Sequence, residues 1–162
     1  MREYDFIVVG TGISGLSFAL KAASRGRVAI LTKRSPEMSN TAWAQGGVSC
    51  VTDAQDSFDA HIADTVDAGA GLCEPTVVDT IVKAAPAAIE DMVAQGVNFD
   101  REENGSFSLG REGGHTQRRI LHARDTTGRE ISAKLLSAAS REKNIEILDN
   151  HFAIDLVTTA KL

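Results

Sequence analysis

The feature that most constrains the fold is the glycine motif G-T-G-I-S-G at residues 10–15, set between a short apolar run and an amphipathic segment. The apolar run at residues 4–9 is rich in β-branched side chains, which is typical of a strand buried on both faces. A second apolar run at residues 27–32 completes a unit of strand, helix and parallel strand with a right-handed crossover. The helix between them should end at Gly26, and its inward stripe is Leu16, Ala19, Leu20 and Ala23.

Each glycine of this motif has a physical role when the motif lies between a strand and a helix. Gly10 allows a tight turn, Gly12 lets the backbone approach a pyrophosphate, and Gly15 lets the helix pack closely on the strand. The unpaired N–H groups at the start of the helix, together with its positive dipole end, favour bound phosphates. The sequence therefore predicts an α/β domain of the Rossmann type that binds a dinucleotide. A glycine-rich turn without a ligand is the alternative.

The residues after the second strand leave the identity of the dinucleotide open. An NAD site usually has an acidic residue here, about twenty residues after the glycines, which holds the ribose hydroxyls. This chain has Thr32, Lys33 and Arg34 instead. The two basic side chains could hold a 2′-phosphate, which would indicate NADP. Alternatively, the backbone and a lysine hold the ribose, and the cofactor is a flavin dinucleotide.

Composition and charge argue against several other classes of protein. A length of 162 residues suits one domain with its own core. With 22 acidic and 17 basic residues, the formal net charge of -5 argues against a nucleic-acid-binding protein. No apolar run approaches the roughly 20 residues that a membrane span needs. The two cysteines, Cys50 and Cys73, are too few for a disulfide framework or a zinc site, so we expect a protein of the reducing cytoplasm.

The middle of the chain predicts a loop followed by two helices. Proline, glycine and polar residues indicate a long loop at residues 33–50. Helices are predicted at residues 56–68 and 75–95, and Pro86 should kink or divide the second one before Gly96 ends it. His61 is interpreted as a surface or packing histidine. The candidate core positions of the two helices are Phe58, Ile62, Val66, Val78, Ile81, Val82, Ile89, Met92 and Val93.

The rest of the chain predicts short strands around one helix. Strands are predicted at residues 97–99, 146–148 and 151–157. Residues 104–114 could form a hairpin or a loop, because glycine and serine recur there. The helix should begin at Thr127 or Gly128, and its apolar positions are Ile131, Leu135, Leu136 and Ala139.

Residues 111–125 concentrate four arginines and two histidines in an acidic chain. Guanidinium groups pair bidentately with carboxylate or phosphate, so this segment could bind a small anion. Glu112, which precedes Gly113 and Gly114, could accept a hydrogen bond from a substrate ammonium group. A solvated basic loop or an internal ion-pair network would explain the same residues equally well.

Four segments together resemble the flavoprotein-subunit family of fumarate reductases and succinate dehydrogenases. They are DFIVVGTGISGLSFAL, LTKRSPEMSNTAWAQGG, DAGAGLCEP and REGGHTQRRILHARDTTGREI, and they cover nearly the whole chain in this order. The last segment is similar to the branch of the family that oxidises L-aspartate. The resemblance implies that residues 1–162 are the N-terminal part of an FAD-binding domain with a parallel sheet, without the family's capping and C-terminal helical domains.

The resemblance also implies a non-covalent FAD, because Asn40 precedes Thr41 where members with a covalent flavin have a histidine. Lys33 would lie near the adenosine, and the loop at residues 40–47 would lie along the cofactor. Glu112 would orient the amino group of the substrate. The residues that the resemblance assigns to FAD are Gly10, Thr11, Gly12, Ile13, Ser14, Gly15, Lys33, Asn40, Thr41, Ala42, Trp43, Ala44, Gln45, Gly46, Gly47, and, by backbone contact with the adenine, Ala153 and Ile154.

The reaction that the resemblance implies is the oxidation of L-aspartate to iminosuccinate, with hydride transfer to the flavin and reoxidation by oxygen or fumarate. The product would enter quinolinate and hence NAD biosynthesis. The main catalytic residues would lie beyond Leu162, so the 162 residues alone should not turn over L-aspartate and could associate through apolar surface. A soluble fumarate reductase is one alternative. A module that binds NADP or FAD without catalysis is another.

Overall fold

The computed structural model describes residues 2–158, which form two compact units. One unit contains residues 2–43 and 131–158, and the other contains residues 44–130. The helices are α1 (Ile13–Ala22), α2 (Asn40–Trp43), α3 (Phe58–Ala68), α4 (Pro75–Ala94) and α5 (Thr127–Arg141). The strands are β1 (Phe6–Val9), β2 (Val28–Leu31), β3 (Val48–Ser49), β4 (Leu109–Gly110), β5 (Ile120–Leu121) and β6 (Ile145–Leu148). The predicted domain, residues 1–162, also includes Met1 and residues 159–162, which lie outside the described residues.

The first unit is built on a parallel sheet in which β2 lies between β1 and β6. Phe6 pairs with Val28, and Val28 pairs with Ile145. Helix α1 connects β1 to β2 and contacts both strands, with Leu16 and Ala19 fully buried. The strand, helix and parallel strand that the sequence predicts are therefore confirmed, as is the later strand β6.

Strand β1 is covered on one face only, so the prediction of a strand buried on both faces is wrong. Val8 is buried on the face of α1, where a β-carbon built at Gly15 would lie 3.2 Å from Val8 Cγ1. Ile7 and Val9 point to the opposite face, since successive strand residues alternate. They are 63% and 68% exposed, because among residues 2–158 β1 lies at the edge of the sheet and no element covers this face.

Helix α1 ends four residues before Gly26, the end that the sequence predicts. Its last residue is Ala22, and the N–H of Ala23 closes the final turn on Ala19. Gly26 has a different role, because a β-carbon there would clash with the side chain of Asp5. That carboxylate accepts a hydrogen bond of 2.7 Å from the N–H of Arg27 and so ties the two strand starts together.

Residues 151–157 form no strand, although the sequence predicts one. Asn150 has a φ of +55°, a left-handed conformation that interrupts the extended backbone after β6. The N–H of His151 still donates to the carbonyl of Thr32 at 3.0 Å. Phe152 and Ile154 beyond it are exposed.

The second unit contains a small antiparallel sheet, in which β5 lies between β3 and β4. Each strand has two residues, which is too short for the alternation that identifies a strand in sequence. The predicted loop at residues 33–50 is therefore interrupted by α2 and β3. Residues 97–99 form no strand, although the sequence predicts one. Val97 and Phe99 are buried, but they do not pair with a neighbouring strand.

Helices α3 and α4 pack against each other in the second unit. Helix α4 is undivided through Pro86, and burial of Val82 before the proline and Ile89 after it supports the helix on both sides. Gly96, with a φ of +94°, ends the helical path as predicted. Phe58 and Ile81 have the spacing of core residues but are 36% and 63% exposed. Within residues 2–158, no helix combines the length and the apolar character needed to cross a bilayer.

Candidate functional site

The glycine motif forms the turn between β1 and α1. Gly10 has a φ of +104°, which glycine adopts without strain, and its N–H donates to the carbonyl of Leu31 at 2.8 Å. A β-carbon at Gly15 would clash with the carbonyl oxygen of Gly10. The fold itself therefore requires glycine at positions 10 and 15.

Gly12 is different, because the protein leaves room for a side chain at this position. A β-carbon there would make only an ordinary contact of 3.5 Å, with Thr41 Oγ1. Its φ of -73° is accessible to any residue. The fold does not require glycine here, whereas a ligand that must touch the backbone does.

The amides at the start of α1 can bind an anion. Among the described residues, no acceptor faces the N–H groups of Thr11, Gly12 and Ser14. The N–H of Ile13, which was also predicted to hold the pyrophosphate, donates to Thr41 Oγ1 at 3.0 Å. Because α1 has ten residues, its dipole adds a positive end to these amides.

A cleft of about 490 Å³ opens beside this turn in the first unit. It lies at the carboxyl ends of β1 and β2, where open α/β sheets bind their ligands. The predicted cofactor residues that line it are Gly10, Thr11, Gly12, Lys33, Asn40, Thr41 and Ala153. Trp43 and Ile154 do not line this cleft and are largely exposed.

In the second unit, the predicted cofactor loop meets the predicted substrate acid. A β-carbon at Gly46 would lie 3.6 Å from both carboxylate oxygens of Glu112. The next residue, Gly47, is fixed against β5, since a β-carbon there would clash with Ile120 and with the carbonyl of Leu121. The A-Q-G-G segment consists of Ala44, Gln45, Gly46 and Gly47. The structure therefore holds this segment beside the exposed carboxylate of Glu112.

Glu112 begins a tight turn, which we call the Glu112 turn (residues 112–115). The N–H of His115 donates to the carbonyl of Glu112 at 3.2 Å. Gly114, the third residue, has a φ of +81°, as a type II turn requires. The backbone conformation of the turn thus explains the glycine at position 114.

The basic segment divides into one buried arginine and several exposed ones. Arg119 is 0% exposed and donates to Asp56 through Nε and Nη2, both at 2.8 Å, and to Asp64 through Nη1 at 2.5 Å. His122 pairs with Asp100 at 2.9 Å. The internal ion-pair network is thus the correct interpretation for Arg119. The exposed arginines are Arg111, Arg118 and Arg124.

His61 is a packing histidine, one of the two predicted alternatives, whereas the sequence does not predict Asp56 and Asp64 as the partners of Arg119. His61 is only 5% exposed, its Nδ1 has no hydrogen-bond partner among the described residues, and burial lowers its pKa. It is therefore a buried, neutral histidine. Asp64 lies three residues further along α3, on the same face of the helix. That spacing is the sequence signal that could have placed the acid in the interior.

The ion pairs of Arg119 predict a loss of stability in acid. Hydrogen bonding from the Thr116 N–H lowers the pKa of Asp64 to about 2, and hydrogen bonding from Arg119 lowers the pKa of Asp56. A carboxyl group whose pKa is lower in the folded state stabilises the fold above its unfolded pKa and loses this effect as pH falls through the folded value. We expect Asp64 to account for about 2 kcal/mol of unfolding free energy lost between pH 5 and pH 2. Urea unfolding at several pH values across this range should show the loss. Asp64→Asn, which has no carboxyl group to protonate at this position, should lose less unfolding free energy in acid than the wild type. An equal loss in the variant would contradict the prediction.

Comparison with known proteins shows what the chain is similar to. Residues 5–161 match the family model described as an FAD binding domain. The chain is 48% identical over 158 residues to an L-aspartate oxidase of Nicotiana tabacum, covering 98% of this chain and 24% of that protein. It is 44% identical over 167 residues to an L-aspartate oxidase of Pseudomonas aeruginosa, covering 99% and 31%. The chain thus spans about a quarter to a third of the curated relatives it matches.

Solved structures of fumarate reductases are similar to this chain. A quinol fumarate reductase variant of E. coli superposes with a TM-score of 0.87 at 33% identity, covering 93% of this chain and 26% of that one. A quinol-fumarate reductase with menaquinol superposes with a TM-score of 0.89 at 32% identity, covering 98% and 28%. The α/β architecture with a parallel sheet that the sequence predicts is the architecture of the matching portion of these flavoproteins.

Proposed function

The chain belongs to the FAD binding domain family, and from this premise we propose that it is the N-terminal part of an L-aspartate oxidase. Identity to plant and bacterial L-aspartate oxidases over nearly the whole chain supports the proposal. The observation that carries it is the position of the Glu112 carboxylate beside Gly46, where a β-carbon added to the glycine would lie 3.6 Å from both oxygens. An acid that can accept hydrogen bonds from an ammonium group thus lies beside the segment that we assign to the cofactor.

The residues of the first unit fit FAD. Gly12 leaves its backbone open to a pyrophosphate, and the free N–H groups of Thr11 and Ser14 can donate to it. Lys33 lines the same cleft and can hold the adenosine end. We propose a non-covalent FAD, because Asn40 has no nucleophile for a covalent link. When bound, FAD accepts the hydride of the oxidation.

Glu112 gives the site its preference for an amino acid. Its exposed carboxylate can accept hydrogen bonds from the ammonium group of L-aspartate and so orient the α-carbon. Loss of a hydride from that carbon and of a proton from the nitrogen yields iminosuccinate. The electrons would pass to oxygen or fumarate, and the product would serve NAD biosynthesis.

A soluble fumarate reductase is the second candidate function, because solved fumarate reductases share the fold. A module that binds NADP without flavin would need Lys33 and Arg34 to hold a 2′-phosphate, and the match to an FAD family argues against it. We place the protein in the cytoplasm, where the free thiols of Cys50 and Cys73 are stable. We also propose that the 162 residues alone give no turnover, and that apolar residues such as Ile7 and Val9 favour their association.

The test is an absorbance spectrum of the complete protein, recorded without oxygen before and after addition of L-aspartate. We expect bound flavin that L-aspartate bleaches and that oxygen or fumarate restores. Flavin that L-aspartate leaves oxidised, in a protein that still reduces fumarate, would support the second candidate. A colourless protein that binds NADPH would support the third.

A further inference from the structure

The Glu112 turn is anchored at its far end by a carboxylate from helix α3. Thr116 follows the turn directly, and both its N–H and its hydroxyl donate to Asp64 Oδ2, at 2.8 and 2.9 Å. Asp64 is only 9% exposed at its side chain. One buried oxygen atom on a helix therefore fixes the position of the residue next to the turn.

The buried Arg119 holds that anchor in place. Its Nη1 donates to the same oxygen of Asp64 at 2.5 Å and also lies 3.2 Å from Nδ1 of His115, the last residue of the turn. The two hydrogen bonds from Nε and Nη2 to Asp56 fix the guanidinium from its other edge. Within residues 2–158, the carboxylate of Asp56 accepts hydrogen bonds from Arg119 and from the N–H of Ser57, and from no residue of the turn. The two carboxylates thus have separable roles.

The two glycines of the Glu112 turn contribute little packing. A β-carbon at Gly113 would meet no atom within 4 Å, and one at Gly114 would meet only Ala68. Because the glycines give no side-chain contacts, the turn is positioned by its two ends, which are β4 before Glu112 and Thr116 after His115. Asp64 remains ionised at neutral pH, since hydrogen bonding from Thr116 lowers its pKa to about 2. Its hydrogen bonds are charge-assisted and therefore among the stronger ones in a protein.

We propose that Asp64 is a positioning residue for the substrate: through Thr116 it fixes the Glu112 turn, and it thereby sets the affinity for the substrate ammonium group without touching the substrate. The inference rests on the proposed function, in which Glu112 meets that group. Catalytic groups must be held to within about 0.5 Å of their working geometry by such supporting contacts. A looser turn would weaken binding of L-aspartate.

The experiment measures KM and kcat for L-aspartate, the dissociation constant for FAD and the thermal midpoint in variants of the complete protein. Asp64→Asn should raise KM about tenfold with a smaller change in kcat, as expected when a hydrogen bond to a charged group is weakened. Thr116→Val, which loses only the hydroxyl bond, should raise KM about threefold. Thr116→Ser should restore the wild-type value. FAD affinity should change by less than about twofold in all three.

Asp56→Asn is the matched control, because it weakens the other ion pair of Arg119 and keeps both hydrogen bonds from Thr116 to Asp64. It should lower the thermal midpoint about as much as Asp64→Asn while KM stays within about twofold of wild type. Equal increases of KM in the two variants would overturn the inference. If Asp64→Asn does not fold, an unchanged KM in Thr116→Val, whose side chain is exposed, would overturn it as well. Wild-type protein that does not oxidise L-aspartate would instead contradict the proposed function.

Discussion

Replacing Gly12 by alanine should weaken FAD binding to the complete protein about a hundredfold and leave the fold intact. The added methyl group meets only Thr41 Oγ1, at 3.5 Å, so the protein itself tolerates it. A pyrophosphate in contact with the backbone does not, since one extra methyl in a close contact costs about 1–3 kcal/mol and separates the phosphate from its amide donors. Flavin fluorescence titration measures the dissociation constant.

Gly15→Ala is the matched control, because it adds the same methyl group in the same motif. Here the β-carbon would clash with the carbonyl oxygen of Gly10, so we expect loss of folded protein and not a selective loss of flavin. The unfolding free energy of Gly12→Ala without flavin should fall by no more than about 1 kcal/mol, the cost of alanine at a helix N-cap. Wild-type flavin affinity in Gly12→Ala would show that no ligand approaches this residue.

Replacing Arg119 by alanine should lower the unfolding free energy by about 3–5 kcal/mol, a large part of the stability of an ordinary domain. The substitution removes the cation and leaves the carboxylates of Asp56 and Asp64 unpaired, at 2% and 9% side-chain exposure. Burying a charge without a partner is costly, so the loss should be largest at neutral pH. It should shrink in acid, where both carboxyl groups can take up a proton. Urea unfolding at several pH values measures it.

Arg118→Ala provides the comparison for this substitution. Arg118 is the preceding residue but is exposed, and its side chain donates a hydrogen bond to the carbonyl of Leu109 at 3.3 Å. Its loss should change the unfolding free energy by no more than about 0.5 kcal/mol. A similar small effect in Arg119→Ala would mean that the buried ion pairs do not stabilise the fold.

The parallel sheet of the first unit could be predicted because its signals are local. The apolar runs at β1 and β2, the glycines between them and the helical spacing of Leu16 and Ala19 all lie within about thirty residues of each other. The burial of individual side chains is harder to predict, because it depends on which other parts of the chain pack against them. Ile81 has the correct spacing for a core residue and is nevertheless exposed.

The sheet of β3, β4 and β5 could not be predicted from sequence. Two-residue strands have no alternation, and their pairing joins segments far apart in the chain, such as Val48 with Leu121. The same distance in sequence hid the ion pairs of Arg119, whose partners lie more than fifty residues earlier. The sequence identified the basic segment as unusual, but only the fold distinguishes a buried ion pair from a ligand site.

The sequence predicts the residues of the candidate site one by one. The structure shows which of these residues lie close together and which bond to each other. Glu112 and Gly46 are each assigned from a resemblance, and only the structure shows that the carboxylate of Glu112 lies beside Gly46. The hydrogen bond between Thr41 and the Ile13 amide likewise joins two predicted cofactor residues in a way that no motif indicates. Asp64 has no motif at all, and it is identified only by the turn that it holds.

The most direct measurement of the proposed substrate recognition is steady-state kinetics of Glu112→Gln in the complete protein, with succinate as a competing dicarboxylate that lacks the amino group. Glutamine keeps the size of the side chain and removes its charge. If Glu112 holds the substrate ammonium group, KM for L-aspartate should rise about tenfold or more, while the inhibition constant of succinate stays within about twofold. An unchanged KM for L-aspartate, or an equal loss of affinity for both molecules, would contradict that role.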